Sequence, residues 1–141
     1  MRRTLVAIAV LALVAGACSS EDSLDVAEAW SRSALGPNGA VYLTLEGGNA
    51  DTALSGVSVS SEVAVTAEIH QTVILENGAM GMTMIPHVDI PAGSTVMMVP
   101  GGMHVMLIEL AEPLEIGDTF DLALTFDDGS ELTTTVEVRD E

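Results

Sequence analysis

Lysine is missing from these 141 residues, and four arginines stand against 21 aspartates and glutamates. A surface so acidic repels nucleic-acid phosphates and anionic lipid heads, which argues against binding either by counterion release. It attracts cations and basic protein patches, although keeping a chain soluble is reason enough for such a charge. Cysteine occurs once, at Cys18, so an intramolecular disulfide, a cysteine zinc site and a thiol redox pair are all excluded. A blue-copper electron-transfer centre is excluded too, because it needs a thiolate beside its histidines. There is no G-x-S-x-G nucleophile elbow, no glycine-rich phosphate loop and no long segment of helical period after the N-terminal stretch. Asp127 and Asp128 adjoin Gly129 as turn chemistry demands and lack a twelve-residue calcium loop. An enzyme is therefore not expected.

What the chain does have begins at its N-terminus. Met1-Arg2-Arg3-Thr4 followed by the apolar run Leu5 to Val14 has the form of an export signal. The run is too short to span a bilayer, which takes roughly 20 apolar residues. It ends in Ala15-Gly16-Ala17 directly before Cys18, similar to a bacterial lipoprotein box in which the cysteine becomes the lipidated first residue. Ala15 stands where leucine is commoner, so plain signal cleavage nearby is the alternative. The expected organisation is a signal peptide over 1–17, a lipidated Cys18 with a polar tether over 18–25, and one domain over 26–141. The mature protein is then expected in the cell envelope, lipid-anchored to the outer face of the cytoplasmic membrane or in the periplasm, as a monomer.

From Val26 onward the sequence reads as short β-type runs: 26–32, 40–46, 54–60, 63–73, 80–85, 94–99, 103–110, 119–126 and 131–138. Turn signals separate them, among them Gly36-Pro37-Asn38-Gly39, Glu76-Asn77-Gly78, Pro100-Gly101-Gly102 and Asp127-Asp128-Gly129. Many short strands at regular spacing predict an all-β sandwich or barrel. Alternation is clearest over 119–126, where Phe120, Leu122, Leu124 and Phe126 should face the core, and the last two runs should pair as a hairpin.

Seven of the eight methionines fall between Met80 and Met106, interleaved with His87 and His104 and preceded by His70, in a chain with only 3% aromatic residues. Methionine is usually a flexible core filler. His104-Val105-Met106, however, places two potential metal donors on one face of a strand, because strand side chains alternate. His70, Met82, His104 and Met106 stand out together. Two thioethers and two imidazoles suit Cu(I) far better than magnesium, calcium or manganese. Zinc is disfavoured because methionine is a poor ligand for it; Cu(II), which prefers nitrogen and oxygen, is the second choice. His87 follows Pro86 and reads as exposed and non-ligating. Met80, Met84, Met97, Met98 and Met103 read chiefly as packing; Met80 and Met84 share the strand parity of Met82, so the alternative for either is an outer-shell or substitute sulfur.

These residues also carry a resemblance. His70, eleven intervening residues, Met82, twenty-one more, then His104-x-Met106 is the spacing of the periplasmic copper chaperone family called PCu(A)C. Ala29-Trp30-Ser31-Arg32, Glu68-Ile69-His70 and Val99-Pro100-Gly101-Gly102-Met103 are similar to family signatures, and the resemblance runs from about Val26 to Val138. It implies a cupredoxin-like, immunoglobulin-like β-sandwich that carries Cu(I) in a shallow His₂Met₂ site and passes it on. It also implies partners, namely thioredoxin-like Sco proteins and the copper centre of cytochrome c oxidase. A buffering or resistance role would use the same site, and a non-metal interaction lipoprotein with a buried His104 is the third reading. Gln71 stands where some members have methionine, and no histidine- and methionine-rich C-terminal tail is present, so one copper per chain is expected.

Overall fold

Strand after strand, alternating apolar residues and glycine-bearing turns convert this sequence into a sheet that folds over on itself. The structure, a computed structural model, describes residues 23–140; the signal segment, Cys18 and most of the tether lie outside the described residues. Ten strands follow in order: β1 (Asp25–Ser31), β2 (Asn38–Glu46), β3 (Thr52–Val59), β4 (Ala64–Ile74), β5 (Met80–Met84), β6 (Val88–Ile90), β7 (Thr95–Met98), β8 (Met103–Leu110), β9 (Thr119–Phe126) and β10 (Glu131–Val138). Nine correspond to the runs read from the sequence. The tenth, β6, has three residues lying between Pro86 and Pro91, too few to register as a run.

Hydrogen bonding links the strands in the order β5-β4-β8-β2-β1-β10-β9-β3-β6, with β7 also on β2. The two halves of this path face each other. Ile69, Val105 and Leu107 from one half share a core with Leu54, Leu122, Leu124 and Phe126 from the other, which makes the all-β sandwich expected from the spacing. β1 is the joint between the halves, antiparallel to β2 and parallel to β10. Phe120, expected in the core, packs against its edge and is only partly buried.

The β9–β10 hairpin forms as predicted, with Leu132 opposite Leu124 and Val136 opposite Phe120. Gly129 closes it at φ 84°, its N–H donating to the Phe126 carbonyl at 3.0 Å. A Cβ in this left-handed region costs roughly 1–2 kcal/mol. Gly129→Ala is therefore expected to lower unfolding free energy by about that amount, measured as a shift of the urea midpoint at constant slope.

Candidate metal centre

β4 lies between β5 and β8, and its register decides which side chains meet. His70 is directly opposite His104 on β8 and directly opposite Met84 on β5. Two residues further along β4, Thr72 is opposite Met82; two residues back, Glu68 is opposite Met106. With a period of two, these residues share one sheet face. On β2 the same face continues through Ala40, opposite Met106, and Tyr42. The other face carries Ile69, Val105, Leu107 and Val41 into the core. The four residues singled out from the sequence thus come from three adjacent strands and lie on the outer face of the sandwich.

An outer face would ordinarily leave histidine in water, yet His104 is only 3% exposed and the His70 side chain 13%. Their rings cover one another at a centroid separation of 6.1 Å, and Tyr42 covers His104 from the other side at 6.3 Å. Tyr42 is itself backed by Trp30 at 4.9 Å. Met82, His104 and Met106 line one cavity of about 280 Å³, whose remaining wall includes Arg32, Ala40 and Tyr42.

The hydrogen bonds fix which nitrogen of each ring is free. His104 Nδ1 lies 3.2 Å from the Gly102 carbonyl, which can only accept, so Nδ1 carries the proton and Nε2 keeps its lone pair. That carbonyl is held in place by the Thr72 N–H at 3.1 Å. On His70 the assignment is reversed: Nε2 donates to the Glu68 carboxylate at 2.9 Å, leaving the lone pair on Nδ1. His70 Nδ1 and His104 Nε2 are buried and have no hydrogen-bond partner among the described residues. Leaving a buried polar atom unsatisfied costs about 1–3 kcal/mol, and a structural histidine would find partners for both nitrogens. Two such atoms on facing histidines, each ring oriented through its other nitrogen, suit a pair of metal donors.

Burial holds the His104 imidazole below its ordinary pKa of 6.5; the Gly102 hydrogen bond acts the other way, and the nearby His70 adds to the lowering. The ring therefore stays neutral, as a ligand must, further into acid. Between the unfolded value and the lowered folded one, the unfolded chain binds the extra proton. The stability this group contributes is accordingly complete above about pH 6.5 and lost as pH falls through the folded value.

His87 is 53% exposed beside Asp89 at 3.5 Å, exposed as read from the sequence. The packing assignment holds for Met98, which is 1% exposed, and Met103 packs against the core. It fails for Met80, Met84 and Met97, which are 69%, 63% and 60% exposed. Period two told that Met80, Met82 and Met84 share a face but not that the face is the outer one. Glu68 and Gly102, which orient the two imidazoles, stand in the family signatures read from the sequence but were given no role there. Their common signal is position: each precedes its histidine by two residues, on the same strand face or at the mouth of the same strand.

Among the described residues no three His, Cys, Asp or Glu side chains gather into a cage of hard or nitrogen-rich donors. What gathers instead is imidazole with thioether, the donor set of a soft monovalent ion.

Known proteins place this geometry in a family. Residues 24–138 match the family described as "Putative lipoprotein LpqE-like". The protein named "Putative lipoprotein Lxx21020" from Leifsonia xyli subsp. xyli is 36% identical over 120 residues, which span 84% of this chain and 71% of that protein. Among solved structures, the apo PCuAC domain from PmoF1 superposes with a TM-score of 0.69 at 21% identity, over 84% of this chain and 94% of that one. The solution structure of CuI-DR1885 from Deinococcus radiodurans gives a TM-score of 0.59 at 29% identity, over 81% of this chain and 78% of that one. The chain thus belongs to the LpqE-like family, with a fold similar to that of the PCuAC domains.

Proposed function

We propose that this protein is an exported Cu(I) carrier that holds one copper ion between His70 Nδ1, His104 Nε2 and the sulfurs of Met82 and Met106. The observation that carries the reading is the pair of buried, unpartnered ring nitrogens on directly paired strand positions, beside a cavity that Met82 and Met106 line. Two solved structures similar to this chain, a copper-bound PCuAC domain from PmoF2 and CuI-DR1885, support the choice of metal. A buried His104 was the mark of the non-metal interaction reading, and His104 is buried. Its free Nε2 and its place on the outer face favour the metal reading over that one.

All four donors are neutral, so the charge of a bound Cu(I) is not cancelled by its ligands. Exchange is favoured over permanent retention, as a carrier requires, and the Glu68 carboxylate bonded to His70 supplies the nearest compensation. Nothing in this set activates a nucleophile or turns over a substrate, which fits a carrier that is not an enzyme. The export signal and Cys18 support a lipoprotein of the envelope, with the domain from residue 26 onward presented outside the cytoplasmic membrane. The recipients we propose are thioredoxin-like Sco proteins and the copper centre of cytochrome c oxidase, served by a monomer. A buffer that feeds no oxidase would differ in one respect: deleting it would leave oxidase activity intact under copper limitation.

The direct test is titration of the mature protein with Cu(I) against a competing chelator, with one tightly held ion per chain as the expected result. The pH dependence sharpens it. Protons compete with copper for the imidazole nitrogens, so affinity is expected to fall as pH drops from about 7.5 to 5, with the His104 share of the fall displaced toward the lower end by its burial. Thioethers do not titrate. A flat affinity across that interval would remove both histidines from the site.

A further inference from the structure

Three methionines alternate along β5, the outermost strand on this side of the sheet, as Met80-Gly81-Met82-Thr83-Met84. They are 69%, 59% and 63% exposed. Large apolar side chains held in water on consecutive same-face positions are not explained by packing. Only Met82 belongs to the site proposed above. The row also spans two depressions of the surface: Met82 lines the cavity shared with His104 and Met106, whereas Met84 lines the neighbouring groove beside Glu68, Ile85 and Pro86.

We infer that this row is a second, transient seat for Cu(I), in which Met82 pairs with Met80 or with Met84 before the ion moves onto the imidazoles. Same-face residues of a strand repeat at about 6.8 Å, and metal–sulfur bonds of about 2.3 Å place two sulfurs about 4.6 Å apart across a linear ion. Methionine, with three freely rotating side-chain bonds, closes that difference by a lean of about 1 Å from each partner. Both seats contain Met82, so they cannot be filled while Met82 holds copper in the histidine site, and the expected stoichiometry stays at one. Transfer then needs no free ion. Met82 remains bonded throughout, one Cu–S bond to Met80 or Met84 breaks, and bonds to His70 Nδ1, His104 Nε2 and Met106 form. All groups exchanged are neutral, and no electron or proton moves. The inference rests on the Cu(I) reading, and its consequence is kinetic: the row speeds both loading and unloading without changing the final affinity.

Met80→Leu/Met84→Leu removes two sulfurs while keeping apolar area and nearly the same volume at exposed positions where misfolding is not at issue. The expected result is at least a tenfold slowing of both Cu(I) uptake and Cu(I) release to a small-molecule chelator in stopped flow, with equilibrium affinity unchanged within twofold. Unchanged rates would overturn the inference. So would a fall in affinity with only release accelerated, which would make these residues ligands of the resting site. A second measurement isolates the seat: in His70→Ala, Ag(I), a redox-inert soft ion, should shift the methyl NMR signals of Met80, Met82 and Met84 together and do so equally at pH 7.5 and 5. Methyls of Met80 and Met84 that do not move would reject the seat. If wild-type protein takes up no Cu(I) tightly, the proposed function fails, whereas tight uptake with unaltered rates in the leucine variant removes the seat alone.

Discussion

His104→Ala and Met106→Leu are each expected to weaken Cu(I) binding by about 100-fold or more, beyond the roughly 10–100-fold seen when only an outer partner of a metal ligand is lost. Met106→Leu is the cleaner experiment, since it keeps the side-chain volume and removes only the sulfur. His104→Ala also opens space under Tyr42, so its fold should be checked by unfolding in urea before its affinity is interpreted. His87→Ala serves as the control, because that ring lies exposed beside Asp89, and its affinity should stay within twofold of wild type. Equal losses for His87 and His104 in the chelator competition would reject the ligand assignment.

Glu68→Ala is expected to produce the second large effect, about a 10–100-fold loss of Cu(I) affinity, without removing any donor atom. The Glu68 carboxylate accepts the Nε2 proton of His70 at 2.9 Å and so keeps the lone pair on Nδ1, the buried nitrogen. Without that acceptor the proton can move to Nδ1, the wrong nitrogen for the site. The test begins before any metal is added: ¹⁵N NMR should report the Nε2–H form of His70 in wild type and a tautomer mixture in the variant. Glu68→Gln, whose amide oxygen can still accept, should restore part of both. Unchanged ring signals together with unchanged affinity would reduce Glu68 to a surface acid.

Much of this arrangement was legible in the sequence because strands write themselves in period two. His104 and Met106 are two residues apart, so their common face followed from the strand alone, and 119–126 declared its own core face through Leu122, Leu124 and Phe126. The direct pairing of His70 with His104 was not legible, because register across β4 and β8 is fixed by turns and by the packing of Ile69 against Val105 and Leu107, contacts between distant parts of the chain. Alternation also cannot say which of two faces is dry. For β5 that ambiguity sent Met80 and Met84 inward, when the face they share carries the site. The orientation of the rings was closer to hand. Glu68 precedes His70 by two residues on the same strand, so an acid beside a candidate ligand with matching parity was there to be read. β6 escaped for the opposite reason, since Val88–Ile90 is too brief to show any period at all.

The seven residues of β1 also give the molecule a direction. Asp25, at the start of the strand, pairs with Glu46 at the far end of β2, while Ser31, at its finish, pairs with Val41 and leads directly into Arg32 on the cavity wall. At about 3.3 Å per residue the strand carries the chain about 20 Å from one pole of the sandwich to the other. If Cys18 is the point of attachment, as we propose, the end of β1 that carries the proposed copper site is the distal pole and looks away from the lipid, out of the layer of anionic headgroups that an acidic surface is repelled by. A soluble acceptor could then meet it without approaching the bilayer, whereas an integral membrane acceptor would have to rise to that height.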